Sequence, residues 1–208
     1  MNTKTTHLLL SAGILLGAVS AHGAAVSFNF EDPKGVNNVA FNLDAPLEAI
    51  SGTSNGISGT VSFDPQNIGS TAGTIVVDAT TIKVPNNTML EHLHSAGWLD
   101  TATHGTITFE ATKLKDLKTD GARTTATAIG TFTLKGVTKD LSVPVTLTYL
   151  PGKLADRTNG QMQGDLLVIR SSFSINRSEF GIKPGQNTDK VAEQIEITLA
   201  IAGYAAKG

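Results

Sequence analysis

The 208 residues carry 40 % apolar side chains, enough for one sizeable core, yet only 16 % charged ones against roughly 25 % in ordinary soluble domains. A net charge of −2 leaves no electrostatic footprint for nucleic acid. Cysteine is absent, which excludes disulfides, thiolate metal sites, iron–sulfur clusters, thiolate catalysis and a lipid anchor on cysteine.

The chain opens with an export pattern. Lys4 supplies a positive start, Leu8 to Val19 form a short apolar run, and Ala21-His22-Gly23 offers a cleavage site, with cutting anywhere between Ala21 and Ala25 compatible. The run falls short of the about 20 apolar residues a membrane span needs. Residues 1–23 read as a signal peptide and residues 24–208 as one exported domain, periplasmic in a bacterium and without stable membrane insertion.

Beyond the leader, period-2 patterns dominate. Ile57, Gly59, Val61 and Phe63 share one face of a strand whose other face carries Ser58, Thr60 and Ser62. After Pro85 the pattern changes once. Asn86 or Asn87 can cap a helix on which Met89, Leu93 and Ala96 fall at helical spacing, with Gly97 as its stop. Alternation then resumes with Ile107, Phe109 and Ala111, continues through Thr124 to Leu134, and returns in Leu141, Val143, Val145 and Leu147. Leu150 to Gln163 is a polar insert expected to be a mobile loop. Leu166-Leu167-Val168-Ile169 is apolar on both faces and needs cover outside as well as inside, for which the helix is the natural candidate. Ile195, Ile197, Leu199 and Ile201 form a last alternation. Turn dipeptides such as Asn55-Gly56, Asp120-Gly121 and Pro151-Gly152 separate these runs. Short strands without βαβ alternation mean an antiparallel barrel or sandwich, and strands of about ten residues suit a barrel of about eight.

Residues with chemistry are few. His92 and His94 stand in a His-x-His pattern, but on a helix they diverge by about 200°, too far to share a metal ion. No Gly-x-Ser-x-Gly, Ser-x-x-Lys, Walker loop or dinucleotide fingerprint is present, and no motif calls for a metal or cofactor. What stands out is an apolar interior. Phe63, Trp98, Ile107, Phe109, Phe132, Val145, Phe173 and Phe180 are candidates for the wall of a cavity, or for the filling of an ordinary core. Small residues that can point inward, Gly59, Ala111, Ala126, Ala128 and Gly130, would leave room within a barrel.

Four segments in order resemble the YceI-like family of polyisoprenoid-binding proteins. They are Gly59 to Asp64, Glu91 to Asp100, Gly130 to Lys139, and Ile175-Asn176-Arg177-Ser178-Glu179-Phe180-Gly181-Ile182, similar to the family's Arg-x-acidic-Phe-Gly-Ile motif. The resemblance implies an all-β, antiparallel, lipocalin-like β-barrel of about eight strands with one short helix. It also implies a periplasmic location, an apolar cavity for a polyprenyl or similar long-chain amphiphile, and no catalytic residue. Two departures touch the barrel mouth: Asn37-Asn38 where the family has His-Ser, and no proline before His104-Gly105-Thr106.

Buried methylenes can supply the affinity for such a ligand, so polar residues would tune its head group. Arg177 is the first candidate and His92 the second, although Arg177 equally suits a post that fixes the turn before Phe180. Three readings follow. One is a carrier of a long-chain isoprenoid or lipid. Another is a lipid-acting hydrolase or isomerase using His92, Glu110 or Asp165 in the same cavity. The third is an interaction module with a filled core and Leu150 to Gln163 as its contact loop. A homodimer is compatible with each.

Overall fold

The computed structural model describes residues 25–207; the expected signal peptide lies outside them. Ten strands make one antiparallel sheet: β1 (Val26–Asn29), β2 (Asn38–Asp44), β3 (Ala49–Ser54), β4 (Ile57–Phe63), β5 (Ala72–Asp78), β6 (Thr106–Asp120), β7 (Arg123–Leu134), β8 (Val137–Leu150), β9 (Gly164–Asn176) and β10 (Gln194–Ala206). The spatial order is β1-β4-β5-β6-β7-β8-β9-β10, and β1 pairs again with β10 at Asn29–Tyr204. Eight strands thereby close into a barrel, as the alternation and strand lengths predict.

The β2–β3 hairpin is the addition. β10 gives its last residues to β1 but its first half to β2, from Glu196–Asn42 to Ala200–Asn38. The circumference thus gains a hairpin at one end and the barrel flares there. At the changeover Ala202 would lose its ladder partners, and the Asn37 side chain replaces them. Its Oδ1 accepts from Ala202 N–H at 2.8 Å, and its Nδ2 donates to the carbonyls of Ala202 at 3.2 Å and Phe30 at 3.0 Å. Asn37, expected at the mouth, is a buried substitute for backbone within the wall.

Turn chemistry sets the registers. Between β7 and β8 only Lys135 and Gly136 intervene, both at positive φ (50° and 73°), the combination a tight hairpin of matching twist requires. Gly59 sits at φ 123° where a Cβ would strike the Thr74 carbonyl oxygen at 2.1 Å, so only glycine fits; its role is close strand approach rather than room in the lumen.

Helix α1 (Asn87–His94) is capped by Asn86, whose Oδ1 accepts from Met89 N–H at 2.9 Å, and it stops at Ser95, short of Ala96 and Gly97. The polar insert is not a plain loop. It holds a second helix, α2 (Leu154–Arg157), whose Leu154 is fully buried. This helix packs on β9 and β10, so α2, not α1, covers the outer apolar face of β9. It is also tied to the loop after β1 by Arg157 Nη2–Asp32 Oδ2 at 3.0 Å.

Opposite the flared end the barrel is sealed. Phe28, Phe63 and Tyr149 meet with centroids 5.3–6.2 Å apart, and Phe30 and Leu167 are fully buried beside them. The Tyr149 hydroxyl escapes this apolar floor by donating to Asp165 Oδ2 at 2.9 Å.

Candidate functional site: an apolar cavity

Above that floor the barrel is hollow. Along β10 the inward row Ile195, Ile197 and Leu199 is only half-buried, whereas Ile201 at the floor is 1 % exposed. The surface those three keep faces a cavity of about 700 Å³ that opens at the flared end. On β9 its wall runs from Ile169 to Ile175, roughly 20 Å along the strand at about 3.3 Å per residue. A strand tilt of about 40° makes that about 15 Å of depth.

Six of the eight apolar candidates stand on this wall: Trp98, Ile107, Phe109, Phe132, Val145 and Phe173. Two do not. Phe63 belongs to the sealed floor, and Phe180 packs behind the wall against Phe132, ring centroids 5.5 Å apart and nearly perpendicular. Ala111 and Ala128 line the hollow, as their size allows. Sequence reasoning missed the contributions of β2, β3 and β5, namely Phe41, Leu43, Ile50, Ile75 and Val77. The period-2 signal that could have found β2 is present in Val39-Ala40-Phe41-Asn42-Leu43, where three apolar positions alternate, whereas Ile75-Val76-Val77 reads as a run rather than an alternation.

Polar groups are distributed by depth. Deep in the hollow the side-chain hydroxyls are Thr71, which donates to the Ile68 carbonyl at 2.6 Å, Ser171, which donates to the Pro144 carbonyl at 2.6 Å, and Ser54, which lies 2.7 Å from the Thr81 hydroxyl and donates to it because Thr81 itself donates to the Asp78 carbonyl. None of the three has a proton left for a ligand. Polar groups collect at the opening: the charged Glu48 and Lys190, the His92 imidazole, and the amides of Asn86 and Asn187.

His92 is exposed there, whereas His94 turns the other way. His94 Nε2 donates to the Ile82 carbonyl and Nδ1 lies against the Thr101 hydroxyl, both at 3.1 Å. The two side chains point to different partners, as helical spacing dictates. His104 packs its ring over Gly136 at the same end.

Arg177 is 1 % exposed and all its donors are committed. Nε donates to the Ala192 carbonyl, Nη1 to those of Ile182 and Lys183, and Nη2 to those of Gln186 and Val191. Five bonds exhaust the guanidinium. The geometry is that of the hydrogen-bonding post, with nothing left over for a head group. Beside it the Ser178 hydrogen bonds and the Arg177 charge hold the Glu193 carboxyl below its ordinary value, against a smaller opposing effect of burial.

The three titratable groups an enzyme would draw on are dispersed. His92 is at the opening, Glu110 is exposed on the outer face of β6, and Asp165 is at the sealed end. Burial pushes the Asp165 carboxyl upward, but donation from Gly152 N–H, Lys207 Nζ and the Tyr149 hydroxyl outweighs it and the net shift is downward.

Comparison with known proteins agrees with this architecture. The family model described as YceI-like domain matches residues 19–202. A UPF0312 protein of Vibrio parahaemolyticus is 30 % identical over 66 % of this chain and 69 % of its own. Protein YceI of Escherichia coli is 28 % identical over 75 % and 74 %. Among solved structures, BcnA of Burkholderia cenocepacia superposes with a TM-score of 0.64 at 19 % identity, covering 80 % of this chain and 95 % of BcnA. A polyisoprenoid binding domain from Saccharophagus degradans, implicated in plant cell wall breakdown, gives 0.64 at 10 % identity, covering 86 % and 99 %. At those identities the structural likeness establishes the fold.

Proposed function

The chain belongs to the YceI-like domain family, and on that premise we propose that it is a periplasmic carrier which shelters the tail of a polyisoprenoid or similar long-chain amphiphile inside its barrel. The observation that carries this reading is the unfilled lumen: an inward face of aliphatic and aromatic side chains left with accessible surface, closed below and open above. A core that filled itself, as an interaction module would have, leaves no such surface.

The chemistry of the wall favours one orientation. Among the described residues no free side-chain donor waits at depth, so a polar group carried to the floor would lose its hydrogen bonds to water without replacement, at about 1–3 kcal/mol or more. The tail therefore goes in first, and the head stays at the opening among Glu48, His92, Lys190 and the two amides. With both charge signs there, head-group contacts tune selectivity. Affinity comes from the tail: at about 0.8 kcal/mol per buried carbon, one isoprene unit contributes roughly 3–4 kcal/mol. Immobilisation costs about 4–15 kcal/mol and micromolar binding needs about 8 net, so roughly three to six buried units suffice. Export by the residue 1–23 leader would put the protein between two membranes, where such chains need an aqueous shuttle.

Protein purified from several hosts, extracted with organic solvent and analysed by mass spectrometry, is expected to release a co-purifying long-chain amphiphile. Empty protein from every host overturns the proposal.

A further inference from the structure

Near the open end the wall parts in two places, and the two are closed differently. Between β3 and β4 backbone does the closing. Thr53 and Lys83 exchange N–H···O=C bonds of 3.0 and 2.8 Å, Asp78 N–H reaches the Gly56 carbonyl at 2.8 Å, and the Ser54 and Thr81 hydroxyls meet at 2.7 Å. Between β8 and β9 the ladder runs from Leu150–Leu166 to Val145–Ser171 and then stops. Next in line is Pro144, which has no N–H, and whose carbonyl takes the Ser171 hydroxyl instead. Beyond that fork Val137–Val143 is paired with β7 only.

The fork is filled by the segment from Arg177 to Glu193. Phe180 and Ile182, 2 % and 3 % exposed, share a cluster with Phe132, Leu134, Val137 and Leu141. Among the described residues no backbone hydrogen bond links this segment to β8. Its polar ties are internal or run the other way. Arg177 gathers five carbonyls of the segment itself, Arg177 N–H donates to the Glu193 carbonyl at 2.9 Å, and the Asp189 carbonyl accepts from Leu47 N–H at 2.9 Å. The segment is thus one body, anchored where β9 ends and β10 begins at the Asn176–Gln194 pair and held to β8 by apolar side chains alone.

Besides the open mouth, three side routes that would widen it for a long chain can be compared. Opening at β3 would leave buried donors and acceptors unpaired. Lifting α1 would break the two His94 contacts and the bond from Lys135 Nζ to the Ala96 carbonyl. Parting Phe180 and Ile182 from β8 breaks no hydrogen bond, and a hydrocarbon sliding in replaces one apolar contact with another. The free edge of β8 carries Lys139, Asp140 and Pro144, residues that deter strand pairing with another protein, so the edge does not serve as a docking strand.

The geometry points to a lateral gate: the hydrocarbon chain passes between β8 and the Arg177–Glu193 segment, with Phe180 as the moving contact and Arg177 as the positioning residue that keeps the gate in one piece. This rests on the carrier reading, and it adds the path and the residues that govern it.

The absence of native cysteine makes a direct test available. A Leu141→Cys/Phe180→Cys pair, joined by a short thiol-to-thiol linker, is mixed with cis-parinaric acid and uptake is followed by fluorescence in stopped flow. Linked protein is expected to load at least about tenfold more slowly than the unlinked pair. Loading at the unlinked rate overturns the gate. Should the pair fold poorly, Phe180→Leu provides the second arm: association and dissociation both rise on the order of tenfold while Kd stays within about twofold, since a gate changes the barrier and not the bound state. A rise in dissociation alone makes Phe180 a wall residue and overturns the gate equally. Failure of the unaltered protein to take up the probe at all sinks the carrier reading itself, a result distinct from either.

Discussion

Asp165 shows how a single carboxylate couples the sealed end to pH. It accepts from Gly152, Tyr149 and Lys207, with bonds of 2.8–3.0 Å, at a position only 6 % exposed. Its pKa in the fold lies below the ordinary 3.8, so the stabilisation is complete above that value and disappears as pH falls through the folded-state value. Asp32 and Glu193 shift the same way and steepen the same acid limb. Urea midpoints measured against pH are therefore expected to be flat near neutrality and to fall below about pH 4. Asp165→Asn should lower the neutral plateau and shrink the acid drop, its curve meeting the wild type at the lowest pH. An unchanged acid limb would remove Asp165 from this account. Arg177 carries the opposite lesson, because its charge matters less than its fork of five donors, a fork that lysine does not possess.

The handover from β1 to β2 along β10 is the step that flares the barrel, and a side chain completes it. Asn37 supplies both a donor and an acceptor to Ala202. Asn37→Leu keeps similar volume and orphans the Ala202 N–H and the Phe30 carbonyl, so a loss of about 2–4 kcal/mol is expected by urea denaturation. Faster amide exchange centred on Ala202 and β2 would accompany it. A loss below about 1 kcal/mol would mean that water replaces the amide there. Helix α2 acts at the same scale. It lets β9 be apolar on both faces, which is why the segment expected as a mobile loop is pinned by a buried leucine.

For the molecule as a whole, the hollow couples binding to stability. Filling it adds burial to the folded state alone, so a ligand at a hundredfold excess over its Kd contributes about 2.7 kcal/mol. For a domain of this size each kcal/mol moves Tm by about 2–4 °C, so calorimetry with a long-chain isoprenoid alcohol is expected to show a rise of about 5–10 °C. A short-chain analogue, burying fewer carbons, should shift Tm less. Equal shifts from both would put the binding outside the cavity.

Alternation of the kind in Ile57–Phe63 or Ile195–Ile201 is a one-dimensional signal of one-sided burial, and with turn dipeptides it was enough to specify an antiparallel barrel or sandwich, between which strand length and the family resemblance favoured the barrel. Six wall residues were legible for the same reason, since period 2 says which side chains share a face. It does not say how far along the lumen each one lies. That Phe63 is floor and Phe180 is plug follows from strand stagger and from a fork at Pro144, both set by contacts distant in sequence. β1 and β3 were hidden because their four and six residues carry too short a pattern, whereas the alternation of Val39, Phe41 and Leu43 in β2 was as readable as that of β4. Whether an inward apolar face fills the centre or leaves it empty depends on the barrel's radius, a property of closure that no local stretch of sequence contains.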